Sequence, residues 1–271
     1  MFVVRSLLIF IAFSATAGAV SPRKQVDFEL IVAESGWNYS PKKLHRIFKQ
    51  AGGVLWRNFP EAELPAVEVS YQKNGPFVFF DVNERGHKRI QLSSQGSYWS
   101  QHVYQFAHEF CHLLVDCKKG DRSNHWFEES VCEMASVYVV GELAKEWKTN
   151  PAISGAESYA QSFARYAEEL KSRESYQLPK EESFQTWFGK HEAILGKSDG
   201  YQRDLNGVVA LKLLPLLQNT PTNWGAFRFI NVQRKKNAVS FEGYLRSWKA
   251  SSPEKYHHFI AQIAIEFGKE V

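Results

Sequence analysis

Cysteine is scarce in this chain, with 3 among 271 residues, and long apolar runs are scarcer still. Leu7 to Phe13 is a short apolar run, and no stretch approaches the ~20 residues that cross a bilayer as a helix. Gly-x-Ser-x-Gly, a phosphate-binding loop and a dinucleotide fingerprint are all missing, which leaves no motif for a serine hydrolase or a nucleotide enzyme. A dominant charge is missing too: 33 Lys and Arg against 29 Asp and Glu give a net charge of +4. The one dense basic run, Arg234-Lys235-Lys236, reads as a solvated turn, so no nucleic-acid partner is expected. Internal repeats and low-complexity tracts are also absent.

What is present begins with a targeting pattern. Arg5, the apolar Leu7 to Phe13 and the small residues Ala15-Thr16-Ala17 or Ala17-Gly18-Ala19 read as a signal peptide over 1–19. The expectation is an exported protein, periplasmic or secreted, with no stable membrane span after cleavage. Too few residues separate the cleavage site from the first strand to hold an inhibitory pro-segment. The rest of the chain, 44% hydrophobic and 14% aromatic over the full length, is enough for one large domain at 20–271.

Strands are expected at Val26–Val32, Ala66–Tyr71, Phe77–Val82 and Lys88–Ser93, around a helix from Pro41 to about Asn58 capped by Ser40. Two further helices, about Tyr98–Asp116 and Asn124–Trp147, follow, the second capped by Asn124. From 150 onward the pattern is helical, near 157–173, 182–195, 205–217, 241–248 and 253–267, with prolines mostly at the joints. The fold class is therefore α+β: an N-terminal α/β lobe at about 20–120 with a small mixed sheet, and a mostly helical C-terminal lobe at about 121–271.

The chemistry concentrates between Phe106 and Met134. His108-Glu109-Phe110-Cys111-His112 fits His-Glu-x-x-His. On a helix the two histidines point the same way and can share one metal ion, while Glu109 lies one step round, within reach of a metal-bound water. Such imidazole pairs suit zinc, which needs a third protein ligand and an open position to act catalytically. Trp126-Phe127-Glu128-Glu129-Ser130 opens the next helix and can bring a carboxylate back. Glu128 and Glu129 are rotated by about 100° from each other, so both cannot face the histidines, whereas Glu129 and Glu133 share a face. His102 lies off the metal face, and His125 suits that face less well than Glu129.

In these residues the chain resembles the gluzincin metallopeptidases, whose third zinc ligand is a glutamate on a following helix. Trp126 to Ser130 is similar to the Trp-Leu-x-Glu-Gly of aminopeptidase-N-like members, with Ser130 in place of the glycine and no Gly-x-Met-Glu-Asn element elsewhere. The resemblance implies a zincin-like fold, with His108, His112 and Glu129 as zinc ligands. It also implies Glu133 as the acid that orients one histidine through its free ring nitrogen. In such folds the strand before the active helix forms the cleft rim, and Ile90 to Ser94 occupies that place here. The implied activity is an exported zinc peptidase hydrolysing a peptide or protein substrate, with Glu109 as general base.

Two competing functions are a secreted zincin-like binding module without catalysis and a zinc hydrolase of a non-peptide amide. The oxyanion-stabilising donor is left open between Tyr201 and Tyr138. An odd number of cysteines in an exported chain suggests one disulfide, expected as Cys111–Cys132, with Cys117–Cys132 competing and three reduced thiols as the remaining alternative. Cys111 is accordingly not expected to be a nucleophile.

Overall fold

The computed structural model describes residues 27–116, 122–197, 200, 202–232 and 239–271. The signal-peptide pattern, Cys117, Tyr201 and the Arg234–Lys236 run lie outside them. The fold is α+β, with one small sheet and eight α-helices among the described residues.

Four strands make a mixed sheet: β1 (Leu30–Val32), β2 (Val67–Tyr71), β3 (Phe77–Phe79) and β4 (Lys88–Leu92). Their order is β1-β2-β4-β3, with β1–β2 and β2–β4 parallel and β3 antiparallel to β4. This corrects the expected cleft rim. β4 is paired on both sides, and the outer position belongs to β3, which folds back along the far side of β4. Val67, Val69, Ile90 and Leu92 are wholly buried, whereas Phe77 at the sheet margin is 46% exposed.

Helix α1 (Pro41–Trp56) begins as the sequence suggests, with Ser40 Oγ accepting from the Lys43 N–H and Pro41 in the first turn. It covers the sheet beside α2 (Trp99–Leu114). One side of α2 carries Val103, Phe106, Ala107, Phe110 and Leu114, all buried. Phe106 stacks 4.9 Å from Phe48 of α1 and 5.3 Å from Phe110, which in turn meets Phe28 at 4.9 Å. With that side fixed in the core, His108 and His112 are left facing α3 (His125–Glu146).

Helix α3 is apolar on almost every side and packs against α1, α2, α4 (Ala160–Lys171) and α6 (Arg203–Asn219). A helix hydrophobic all round belongs in the middle of a domain. Its start is clamped by aromatic rings. Trp126 lies 4.7 Å from Phe241 and 5.6 Å from Phe188, and Phe127 lies 5.4 Å from Phe241. Asn124 does precede the helix but does not cap it; its amide donates to the Val239 carbonyl instead. The remaining helices are α5 (Phe184–Lys197), α7 (Phe241–Ser251) and α8 (His257–Glu266).

Two details depart from the sequence reading. Pro215 sits inside α6 rather than at a joint, and a 3-10 segment over Pro221–Phe229 buries Trp224 and Phe227. One apolar cluster runs from Phe28 to Phe267 and joins both halves of the chain.

Candidate metal centre

Helices α2 and α3 pack side by side, and one turn from each builds the site. His108 Nε2 lies 3.3 Å from Glu129 Oε2, and His112 Nε2 lies 3.5 Å from Glu129 Oε1. One ligand atom from each of the three residues falls within 4.8 Å of the others, a group able to hold a metal ion. The His108 and Glu129 side chains remain 19% and 23% exposed while that of His112 is at 5%, so the centre opens on the His108–Glu129 side.

The outward ring nitrogens have partners of their own. His112 Nδ1 is 2.8 Å from Glu128 Oε1, and Glu128 also accepts from Asn231 Nδ2 at 3.0 Å. This corrects the expectation that Glu128 cannot serve the histidines. Its side chain reaches behind His112 to the nitrogen on the far side of the ring. On the His108 side, Nδ1 stands 3.9 Å from Glu133 Oε2. Glu133 is held by the Tyr104 hydroxyl, 2.6 Å from both carboxylate oxygens, and by the Tyr176 hydroxyl at 3.1 Å. Arg173 Nη1 donates to the Tyr176 oxygen at 3.0 Å.

His125, set aside from the sequence, is buried beside this group. Its Nε2 lies 3.0 Å from Glu129 Oε1 and its Nδ1 lies 3.7 Å from Glu128 Oε2. The signal that points to it is the four-residue step to Glu129 on one helix face. His102, in contrast, is a packing residue as expected, wholly buried with Nδ1 2.7 Å from Ser94 Oγ and Nε2 3.0 Å from the Gly96 carbonyl.

Burial and charge work against each other throughout the cluster. Burial disfavours protonated His108, yet its bond to Glu129 and the charges of Glu109, Glu129 and Glu133 raise its pKa to about 9. His125 follows the same balance, with burial opposing and Glu128 and Glu129 prevailing, to about 9. The Glu128 and Glu129 carboxyls are pushed up by burial but end far below the usual range, because imidazoles surround them. Glu109 is also buried, and burial raises its pKa, with His108 and His112 offsetting part of the rise.

One open candidate is set aside and one expectation is corrected. Tyr138 does not reach the centre; it packs 5.4 Å from Trp224 further along α3, and its hydroxyl is pushed up to about 12 by burial first and by Glu142 next. Cys111 and Cys132 do meet between the two helices, with Cys111 hydrogen-bonded to Cys132, but both are free thiols. Both are wholly buried, and burial pushes the Cys132 thiol well up, so the thiolate that disulfide exchange requires is disfavoured.

Compared with known proteins, the chain matches no family model, no curated sequence and no solved structure.

Proposed function

We propose that this chain is an exported zinc-dependent peptidase in which His108, His112 and Glu129 hold the metal and Glu129 lies on the helix after the His-Glu-x-x-His helix. The observation that carries the reading is the convergence of two imidazole Nε2 atoms and one carboxylate, 3.3 and 3.5 Å apart. Donors about 2.0–2.1 Å from a tetrahedral zinc stand roughly 3.4 Å from one another, close to the two imidazole–carboxylate contacts, which run to different Glu129 oxygens, so the donor types suit that ion. Three protein ligands with one exposed side also match a catalytic site better than a closed structural one. Export rests on the N-terminal sequence pattern alone.

A zinc ion held there would supply Lewis acidity and a lowered pKa for bound water. The chain's own residues do the rest. The Glu109 carboxylate accepts a proton from the attacking water and returns it to the leaving amine nitrogen. A raised pKa suits that role, because a stronger base takes the proton more readily. Glu128 accepts the Nδ1 proton of His112, so that its Nε2 lone pair faces inward, and the Glu133 carboxylate stands 3.9 Å from His108 Nδ1 on the corresponding side. Phe80, just beyond β3, has its ring 6.2 Å from that of His112, which sets the sheet margin beside the centre. An extended substrate could pair there by its backbone.

The test is Glu109→Gln. It should fold and bind zinc like wild type but lose peptide turnover by roughly 10²-fold or more, in line with removal of a general base. Equal turnover of the two proteins would sink the mechanism. Zinc binding without turnover of peptides or other amides by the wild type would favour a binding module instead.

A further inference from the structure

The three residues facing the centre do not all have the same kind of support. His108 and His112 are each backed by a carboxylate, as imidazole ligands commonly are. Glu129 is a carboxylate, and a carboxylate ligand needs a donor behind it. His125 is the side chain that can serve. It begins α3, one turn before Glu129, and side chains on a helix lean toward its N-terminus. Glu129 therefore folds back onto His125: Oε1 comes to 3.0 Å from His125 Nε2 and 3.5 Å from His112 Nε2, and Oε2 lies toward His108.

His125 does not join the ligand set: among the described residues, His108, His112 and Glu129 are the group whose donor atoms lie within 4.8 Å of one another. Nor is it a surface histidine, being 7% exposed. Its other nitrogen lies 3.7 Å from Glu128 Oε2, beyond hydrogen-bond reach of the carboxylate that holds His112, so the bond to Glu129 is what anchors the ring. The backbone around it is shaped to fit. Gly200, at φ +89°, lies so close that a Cβ there would stand 2.7 Å from His125 Cδ2 and 2.9 Å from Glu129 Cγ. Asn206 Nδ2 fastens this glycine through its carbonyl at 2.8 Å.

We infer that His125 is a positioning residue, clamped under Gly200, that grips Glu129 Oε1 and so fixes the pose in which this carboxylate meets the metal. The inference rests on the metal centre proposed above. It gives the Glu129 carboxylate a fixed pose and accounts for a third histidine buried beside the two that face the centre.

The experiment compares wild type, His125→Leu and His125→Gln. Zinc affinity is measured by competition with a chromophoric chelator, ligand geometry by the visible spectrum of the cobalt-substituted protein, and the imidazole count by zinc X-ray absorption. His125→Leu should weaken zinc binding by ~10–100-fold and shift the cobalt spectrum. The glutamine amide can donate from nearly the same position and should restore much of both. Two imidazoles are expected in the wild type. If His125→Leu does not fold, Gly200→Ala carries the comparison, since its methyl must displace His125 and Glu129; it should lower affinity in the same way. Unchanged affinity and spectrum in the leucine variant, or in Gly200→Ala where that variant replaces it, would overturn the inference. So would three imidazoles in the wild type, which would make His125 a ligand. A wild type that binds no zinc instead overturns the metal centre, and the inference falls with it.

Discussion

At His112, two consecutive glutamates reach opposite sides of one ring: Glu128 Oε1 lies 2.8 Å from Nδ1, and Glu129 Oε1 lies 3.5 Å from Nε2. The three acids of α3 should therefore respond differently to truncation. Glu129→Ala removes a direct donor and should leave the protein largely free of zinc. Glu133→Ala should weaken zinc by ~10–100-fold, the usual cost of losing a residue that orients a ligand. Glu128→Ala should do at least as much, because His112 Nδ1 loses its buried acceptor, at ~1–3 kcal/mol for an unpaired group, while Asn231 Nδ2 keeps the Val115 carbonyl. Zinc content and affinity of the three variants, measured side by side, check this order. A metal-free Glu133→Ala beside a loaded Glu129→Ala would require their roles to be exchanged. The histidine pair was legible in the sequence because its spacing is a property of a single helix. Glu128 and His125 were not, since what they touch depends on how α3 is pitched against α2 and on side chains long enough to pass behind a ring.

Among the elements, α2 and α3 fall within a residue or two of their expected bounds, because apolar spacing fixes a helix locally. Strand order has no such local signature. Each strand was recognisable, but that β3 doubles back outside β4 is decided by packing across the sheet. The consequence for substrate binding is specific. If an extended peptide pairs with β3, its backbone N–H groups donate to that strand. Methylating one such amide, away from the scissile bond, should raise KM by ~2–10-fold with kcat little changed, the value of one net hydrogen bond. A scan of singly N-methylated peptides in which none alters KM would place the substrate elsewhere.

For the molecule as a whole, acid stability is tied to His102, in the first turn of α2, whose buried ring meets Ser94 and the Gly96 carbonyl just after β4. Burial lowers its pKa below the ordinary 6.5, with the Gly96 carbonyl pulling the other way. The unfolded chain thus takes up a proton that the folded chain resists. The stability this residue supplies is complete above pH 6.5 and is lost as the pH falls from there toward the lower folded value. With chelator present, denaturant unfolding should show wild type more stable than His102→Gln near neutrality and the gap narrowing on acidification. A gap that stays constant or widens contradicts this.

The margin of the sheet bears on solubility as well. A free strand edge receives any extended chain, another copy of the protein included, and aromatic strands such as Phe77–Phe79 are prone to that self-association. Here the neighbouring strand supplies cations: the Arg89 guanidinium lies 4.2 Å over the Phe79 ring, and Lys88 reaches across to the Phe80 carbonyl. Two copies meeting edge to edge would have to bring these like charges together, whereas a neutral or acidic peptide would not. Like-charge repulsion thus works against the pairing such an edge would meet most often, that with another copy of itself.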